Sequence, residues 1–290
     1  MNTNLDLERR SVLRATAAVG ATAALGTAGG AVLASRPAAA ATFTDADLFN
    51  FALNFEYLGA EYYLRGLTGQ GLSSGLTTGT GTQGTVLAGG PVPFQSTAIR
   101  QYVQRLAVDE QAHVTFIRAV LGSAAIAEPK IDLVNSWTAL ALAAGLIVPG
   151  QTFNPYAGDV AFLIGAYVLE DVCVTALAGA ARYISNPNNL EAAAGLLGVE
   201  GYQAGAIRSL LADVGAGQVT DAIATLRATL SGVGDQGVIY NGISFNFTNT
   251  DSNALVYRRT PRQVLNIAYG AVNASSGGFF PNGVNGNINS

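Results

Sequence analysis

The sequence predicts an all-α protein whose centre is an antiparallel four-helix bundle. Four long segments, at about 45–66, 96–121, 156–184 and 188–214, place apolar residues at helical spacing on one face. Hydrophobic residues make up 49% of the chain and charged residues only 12%, which favours a well-filled core. The nine prolines leave room for helices of this length.

The first helix is predicted to run from Asp45 to about Gly66. Thr44 can cap it, and Asp47 completes a capping-box pattern. Glu56 is the one carboxylate on its apolar stripe. The opposite face is expected to be solvated and carries Asn54, Glu61 and Arg65.

A long first loop and the second helix follow. Residues 67–94 are rich in Gly and Thr, which is typical of a flexible loop. The second helix is predicted from about Ser96, as its cap, to Leu121, with Gly122 as its stop. Glu110 and His113 lie three residues apart on its apolar face, so they are neighbours there.

The remaining bundle helices repeat this pattern. A short crossover helix is expected at Ser136–Ala144, capped by Asn135 or Ser136. The third long helix, at about Tyr156–Ile184, carries Glu170 on its stripe, and the fourth, at about Asn188–Val214, carries Glu200.

Each long helix thus carries a core-facing glutamate near its midpoint. Helices of 22 to 29 residues are about 33–43 Å long, so in an antiparallel bundle the midpoints fall in one layer. Four buried carboxylates in one layer repel one another and are costly without a cation. Because Arg118 and Arg208 fall off the stripes, we expect a divalent cation there. Oxygen ligands with one imidazole suit iron or manganese, and zinc is left open.

These residues resemble the carboxylate bundles that hold two iron or manganese ions. Such bundles take one Glu from each of two helices and a Glu-x-x-His from each of the other two. Glu56 and Glu170 match the single glutamates, and Glu110 to His113 match one Glu-x-x-His. Glu200 to Gln203 stand where the second should be, with Gln for His, which leaves one or two ions open. The metal site implied consists of Glu56, Glu110, His113, Glu170, Glu200 and Gln203.

The chain also resembles a narrower family, the ferritin-like desiccation-related proteins. The matching stretches are Ala52–Tyr63, Asp109–His113, Leu169–Ala180, Gly195–Gln203, Arg259–Gly270 and Gly277–Gly283. The resemblance covers nearly all of residues 44–290 and implies a ferritin-like fold and a stress-associated role. Glutamine at the Gln203 position is familiar in this family.

Residues 215–290 are interpreted as a C-terminal extension of mixed structure, packed on a bundle of residues 42–214. Thr220 is expected to cap a short helix that ends near Leu230. Alternation around Asn241 and Gly242 predicts a hairpin. A second short helix is expected after Thr260 and Pro261, followed by a Gly- and Asn-rich end.

Residues 1–41 resemble a cleaved twin-arginine signal peptide. Arg9 and Arg10 precede an uncharged Ala- and Gly-rich stretch, and small residues after Pro37 suit cleavage. A membrane anchor is the weaker alternative, because Ala and Gly make a poor span. This predicts export by the twin-arginine machinery to the periplasm or beyond the cell, with no stable membrane anchor after cleavage. No second membrane segment is expected.

The net charge and the number of cysteines limit which partners and covalent links are expected. The first 41 residues carry a net charge of +2, so the remainder carries −6 of the total of −4. An acidic body without a Lys/Arg cluster argues against nucleic acid as a partner. The single cysteine, Cys173, excludes an intrachain disulfide and is expected to be a small buried residue. A homo-oligomer is compatible with the sequence.

Three functions remain on sequence grounds. The first is a metal-dependent redox or peroxide-protective protein, motivated by the carboxylate layer. The second is a non-catalytic structural or desiccation-protective bundle with a degenerate site, motivated by Gln203. Iron storage is the weakest, because the long loop and the extension do not suggest a shell-forming surface. Tyr63 and Tyr167 flank the ligands and are interpreted as core packing residues, ahead of hydrogen bonding to ligands.

Overall fold

Eight helices and two small strand pairs build the part of the chain that the structure, a computed structural model, describes: residues 43–240 and 244–290. In chain order the helices are α1 (Asp45–Thr68), α2 (Ser74–Thr77), α3 (Thr97–Leu121), α4 (Asn135–Ala143), α5 (Asp159–Ala180), α6 (Pro187–Asp213), α7 (Gly217–Ser231) and α8 (Pro261–Tyr269). The strands are β1 (Val86–Ala88), β2 (Ile131–Leu133), β3 (Ile239–Tyr240) and β4 (Ser244–Phe245). The expected all-α bundle is confirmed, with α1, α3, α5 and α6 as its long helices.

Helix α1 begins as predicted but is buried almost all round. Thr44 and Asp47 form the capping box at its start. The prediction that Asn54 and Glu61 face solvent is wrong, since they are 0% and 1% exposed. Asn54 exchanges hydrogen bonds with the backbone of Asn285, and Glu61 accepts from the Leu72 amide. The loops around the bundle cover this face, which helical spacing within α1 cannot reveal.

The segment 67–94 is more ordered than a bare loop. It contains α2 and β1, and β1 pairs in parallel with β2, so that Val86 lies opposite Ile131. Its backbone also bonds to the segment after α3, from Thr80 to Ala125 and from Gly84 to Glu128. The Gly-rich composition therefore permits close backbone approach here.

Helix α3 runs as predicted, with Ser96 as its cap, while two other helices differ from expectation. Neither Asn135 nor Ser136 caps α4, because the Asp132 carboxylate accepts from the amides of Val134 and Asn135 instead. Helix α5 is shorter than predicted. The residues that flank it, Pro155–Ala157 and Ala181–Tyr183, form 3-10 turns.

Helix α5 is the most apolar helix of the bundle. Among the described residues, Asp159–Tyr183 is the one segment long and apolar enough to cross a membrane by length and composition, with a mean hydropathy of 1.9. Most of this segment is buried inside the protein, and its middle carries Glu170 and Asp171. Burial among the other helices accounts for this composition.

The C-terminal part packs on the bundle through α7, α8 and the residues that follow α8. Helix α7 begins at Gly217, so Thr220 lies inside it and is not its cap. The predicted hairpin is present as β3 paired with β4 in antiparallel fashion; its turn, at Asn241 and Gly242, lies outside the described residues. Helix α8 starts after a Thr260 capping box, as predicted. Beyond it, Phe279, Phe280, Val284 and Ile288 are buried in the core.

The domain limits at residues 41/42 and 214/215 stay predictions. The signal peptide assigned to residues 1–41 lies outside the described residues.

Candidate metal centre

The bundle buries one glutamate from each of its four long helices. Glu56 of α1, Glu110 of α3, Glu170 of α5 and Glu200 of α6 are each 3% exposed or less. Helical spacing predicted this burial, because each carboxylate interrupts an apolar stripe. The core therefore encloses four ionisable groups of the same sign.

His113 brings three of these carboxylates together. Its Nδ1 atom lies 3.2 Å from Glu56 Oε2, 3.2 Å from Glu200 Oε1 and 3.8 Å from Glu110 Oε1. One ligand atom from each of the four residues falls within 4.8 Å of the others. This spacing could hold a metal ion. We call Glu56, Glu110, His113 and Glu200 the acidic cluster.

Glu170 stands outside the acidic cluster and has its own partner. The Tyr63 hydroxyl donates a hydrogen bond to Glu170 Oε1, while Glu170 Oε2 has no partner. Tyr63 is buried in the core as predicted, and it also makes the hydrogen bond to a glutamate that was ranked second to packing. Tyr167 does not bond to any of these glutamates, since its hydroxyl lies 3.2 Å from the backbone carbonyls of Thr220 and Gln236, either of which can accept its proton.

Gln203, the residue in place of a second histidine, is buried one turn after Glu200. Its side-chain nitrogen lies 3.4 Å from Asp109 Oδ2, which makes a weak hydrogen bond. Its side-chain oxygen has no hydrogen-bond partner. The amide oxygen is thus a neutral atom in the core that could act as a metal ligand.

Gly59 contacts the acidic cluster, and helical patterning did not identify it. A Cβ atom at this position would lie 2.2 Å from Glu110 Oε2, a distance that forces the carboxylate to move. Gly59 therefore allows Glu110 to approach α1. Its place three residues after Glu56, on the same face of the helix, is the signal that could have found it.

The acidic cluster lacks enough cations of its own. Burial, with the neighbouring Glu200, raises the pKa of Glu110 well above its usual range and does the same for Glu170. Burial likewise raises the pKa of Glu56, to about 7. Burial opposes the charge on His113, but the close Glu200 and Glu56 carboxylates outweigh it and raise its pKa to about 10.

One imidazole cannot satisfy this arrangement. A single Nδ1–H donates one hydrogen bond, yet three carboxylates approach it. Both oxygens of Glu200 are buried without an aligned hydrogen-bond partner, although one lies 3.2 Å from His113 Nδ1. The buried Arg208 is not available, because it pairs with Asp171. A divalent cation fits this donor set, and oxygen ligands with one imidazole suit iron or manganese.

Two cavities border these residues. One, of about 30 Å³, is lined by apolar side chains of α1, α5 and α6 and reaches Glu56 and Cys173. Cys173 is half-buried rather than fully buried, and burial raises the pKa of its thiol, so it stays protonated. The other is a groove of about 340 Å³ between α3 and α6, with Gln203 among its lining residues. The first cavity thus reaches a residue of the acidic cluster, and the groove reaches Gln203.

Comparisons with known proteins agree with this site. The sequence model of the family described as "Ferritin-like domain" matches residues 44–213. The ferritin-like catalase Nec2 of Nesocodon mauritianus is 28% identical over 273 residues, which cover 84% of each chain. The desiccation-related protein PCC13-62 of Craterostigma plantagineum is 29% identical over 268 residues, 82% of each chain. No solved structure matches.

Proposed function

Because this chain belongs to the ferritin-like domain family, we propose that its acidic cluster holds iron or manganese and removes hydrogen peroxide. The observation that carries the proposal is the surplus of buried carboxylates around His113. Neither oxygen of Glu200 has a well-aligned hydrogen-bond partner there, although Oε1 lies 3.2 Å from His113 Nδ1. A relative that covers 84% of this chain is named a ferritin-like catalase, which supports peroxide as the substrate.

The chain's own side chains would divide the work of holding the metal. Glu56, Glu110, His113 and Glu200 offer the ligand atoms that lie within 4.8 Å of one another. When bound, an iron or manganese ion supplies the change of oxidation state that turns two peroxides into two waters and one dioxygen. Glu170 and Gln203, with unpartnered buried oxygens, are the residues available to a second ion.

Other residues hold a proton and exclude water. Burial keeps the pKa of Glu170 high, so its Oε2 atom can carry a proton inside the core. Tyr63 fixes the position of that carboxyl by donating to Oε1. The apolar walls around Glu56 and Cys173 admit a small neutral molecule more readily than an ion.

We propose that the protein acts outside the cytoplasm. The twin-arginine pattern of residues 8–14 and the small residues before position 41 support export and cleavage. Its partners would be the export machinery and, within the bundle, a metal ion. The acidic body does not favour nucleic acid as a partner, and cleavage would leave no stable membrane anchor. A homo-oligomer is compatible with this proposal.

The test is peroxide removal by protein of known metal content. We expect protein loaded with iron or manganese to release one dioxygen per two peroxides, as read by an oxygen electrode. His113→Gln should lose the metal and the activity together. Glu191→Gln, which changes an exposed glutamate of α6, is the matched control and should keep both. Metal-free protein after loading, or equal activity in His113→Gln, would overturn the proposal.

A second candidate is a non-catalytic, desiccation-protective bundle. Gln203 favours it, because an amide is a weaker ligand than imidazole. The second Glu-x-x-His motif is therefore incomplete. The relative named a desiccation-related protein supports the same role. In that case His113→Gln should leave both melting temperature and protection of a dried test enzyme unchanged.

A further inference from the structure

The groove between α3 and α6 is larger than peroxide requires. Its volume is about 340 Å³. One water occupies about 30 Å³ of liquid, and an apolar cavity of about 150 Å³ is enough to hold benzene. The groove therefore has room for a substituted aromatic ring, in the size range of small-molecule sites.

The side chains of the groove are apolar along its floor and aromatic at its rim. The apolar lining residues are Leu106, Leu163, Val199, Ala206, Ile207 and Leu210. Tyr102 and Tyr202 also line it and are 48% and 82% exposed. Two exposed aromatic side chains beside an apolar floor offer faces on which a planar ring can stack.

The polar end of the groove carries no net charge. Arg105 donates two hydrogen bonds to Asp109, one of them from Nε at 2.8 Å, so the two charges compensate each other. Gln203 adds a weak hydrogen bond to the same carboxylate. A charged ligand would lose water without gaining a free opposite charge, whereas a hydroxyl could hydrogen-bond to Asp109 or Gln203.

We propose that this groove binds an uncharged phenol, with its ring between the tyrosines and its hydroxyl toward Asp109 and Gln203. Asp109 precedes Glu110, and Gln203 lies one turn after Glu200, so both groups that would meet the hydroxyl are close in the chain to residues of the acidic cluster. If peroxide is the substrate of the cluster, as proposed above, the phenol is its reducing co-substrate. One peroxide and two phenols then give two waters and two phenoxyl radicals. The O–O bond breaks, and each phenol loses one hydrogen atom.

Binding is tested first, on metal-free protein, with guaiacol as the probe. We expect saturable binding by calorimetry or saturation-transfer NMR. Tyr202→Ala should weaken it about three- to tenfold through the loss of stacking. Ala206→Trp should abolish it by filling the groove. Phe116→Ala removes an exposed ring of α3 outside the groove and should change nothing.

Ligand chemistry supplies a second control. Cyclohexanol, which has no aromatic face, and 4-hydroxybenzenesulfonate, which is charged, should both bind more weakly than guaiacol. Absence of guaiacol binding, or equal binding by wild-type protein and both groove variants, would overturn the site. Circular dichroism of each variant separates loss of the groove from loss of the fold.

The co-substrate role is tested with metal-loaded protein and peroxide. Guaiacol should lower the dioxygen released per peroxide below one half while its coloured oxidation product forms. Phe116→Ala should behave like the wild type. Guaiacol that binds but leaves the dioxygen yield unchanged would overturn the reductant role. Failure to consume any peroxide would overturn the proposed function instead, and the binding result would still decide the groove.

Discussion

Two neighbouring residues of α5, Glu170 and Asp171, face two differently balanced groups of buried charges. Both residues are 2% exposed. Glu170 points to the centre of the bundle, where carboxylates outnumber cations. Asp171 joins a network of five buried charges, made of Asp171, Arg208, Arg227, Asp235 and Arg259. We call this set the arginine network.

The arginine network supplies its own cations. Arg208 and Arg227 each bond to Asp171 Oδ2, at 2.7 and 2.8 Å. The Arg208 and Arg227 guanidinium carbons also lie 5.4 and 4.5 Å from the Tyr167 ring centre, within cation–π range. Since Arg227, Asp235 and Arg259 come from the C-terminal part, the network ties that part to α5 and α6.

The two sets of buried charges differ in the source of their counter-charges. In the arginine network three guanidinium groups meet two carboxylates, so each carboxylate has a cation supplied by the chain. In the acidic cluster one histidine faces three carboxylates, and balance requires protons or a cation from solution. Burial alone does not distinguish the two, whereas the count of chain-supplied partners does.

The largest effect is expected from Asp171→Asn in metal-free protein at neutral pH. Removing one partner of a buried ion pair leaves uncompensated charge and costs about 3–5 kcal/mol. Glu170→Gln is the matched change on the next residue. It should cost less than about 1 kcal/mol, because burial keeps the Glu170 pKa high and glutamine resembles the protonated acid. Urea unfolding measures both, and equal losses would contradict the comparison.

A smaller effect is expected from adding metal. A ligand at about 100 times its dissociation constant stabilises a protein by about 2.7 kcal/mol. Iron or manganese should therefore raise the melting temperature of the wild type, and Glu110→Gln should lose that rise. Asp171→Asn should melt lower but keep the rise, because its site for metal is intact. A rise that survives in Glu110→Gln would show that the ion binds elsewhere.

The sequence predicted the acidic cluster better than the arginine network. Glu56, Glu110, Glu170 and Glu200 stood out because each interrupts an apolar stripe within its own helix. Asp171, Asp235 and Arg259 could not be paired this way, since their contacts join segments far apart in the chain. The burial of Glu61 was missed for the same reason: the Leu72 amide that bonds it belongs to a loop.

Local sequence signals also gave the wrong cap for α4 and missed the strand β1. Asn135 and Ser136 both have N-cap propensity. However, Asp132 lies in β2 just before α4, and its carboxylate accepts the hydrogen bonds from the first amides of the helix. Composition predicted a loop at 67–94, yet pairing of β1 with β2 depends on a partner more than forty residues away. Periodicity within one element thus fixes its buried face, and pairing between elements requires the tertiary structure.

The smallest effect concerns the hydroxyl that joins Tyr63 to Glu170. Burial raises the pKa of Tyr63 well above its usual range, so the phenol remains a donor at any working pH. Tyr63→Phe leaves Glu170 Oε1 without that donor, and loss of a partner just outside the ligands costs about 10-fold in metal affinity at the low end. Tyr62→Phe is the matched control, because the adjacent buried hydroxyl donates to the Phe162 carbonyl at 2.8 Å. Both variants should lose about 1 kcal/mol of stability. Only Tyr63→Phe should weaken metal binding in a competition titration with a chelator, and equal affinities would remove Glu170 from the metal site.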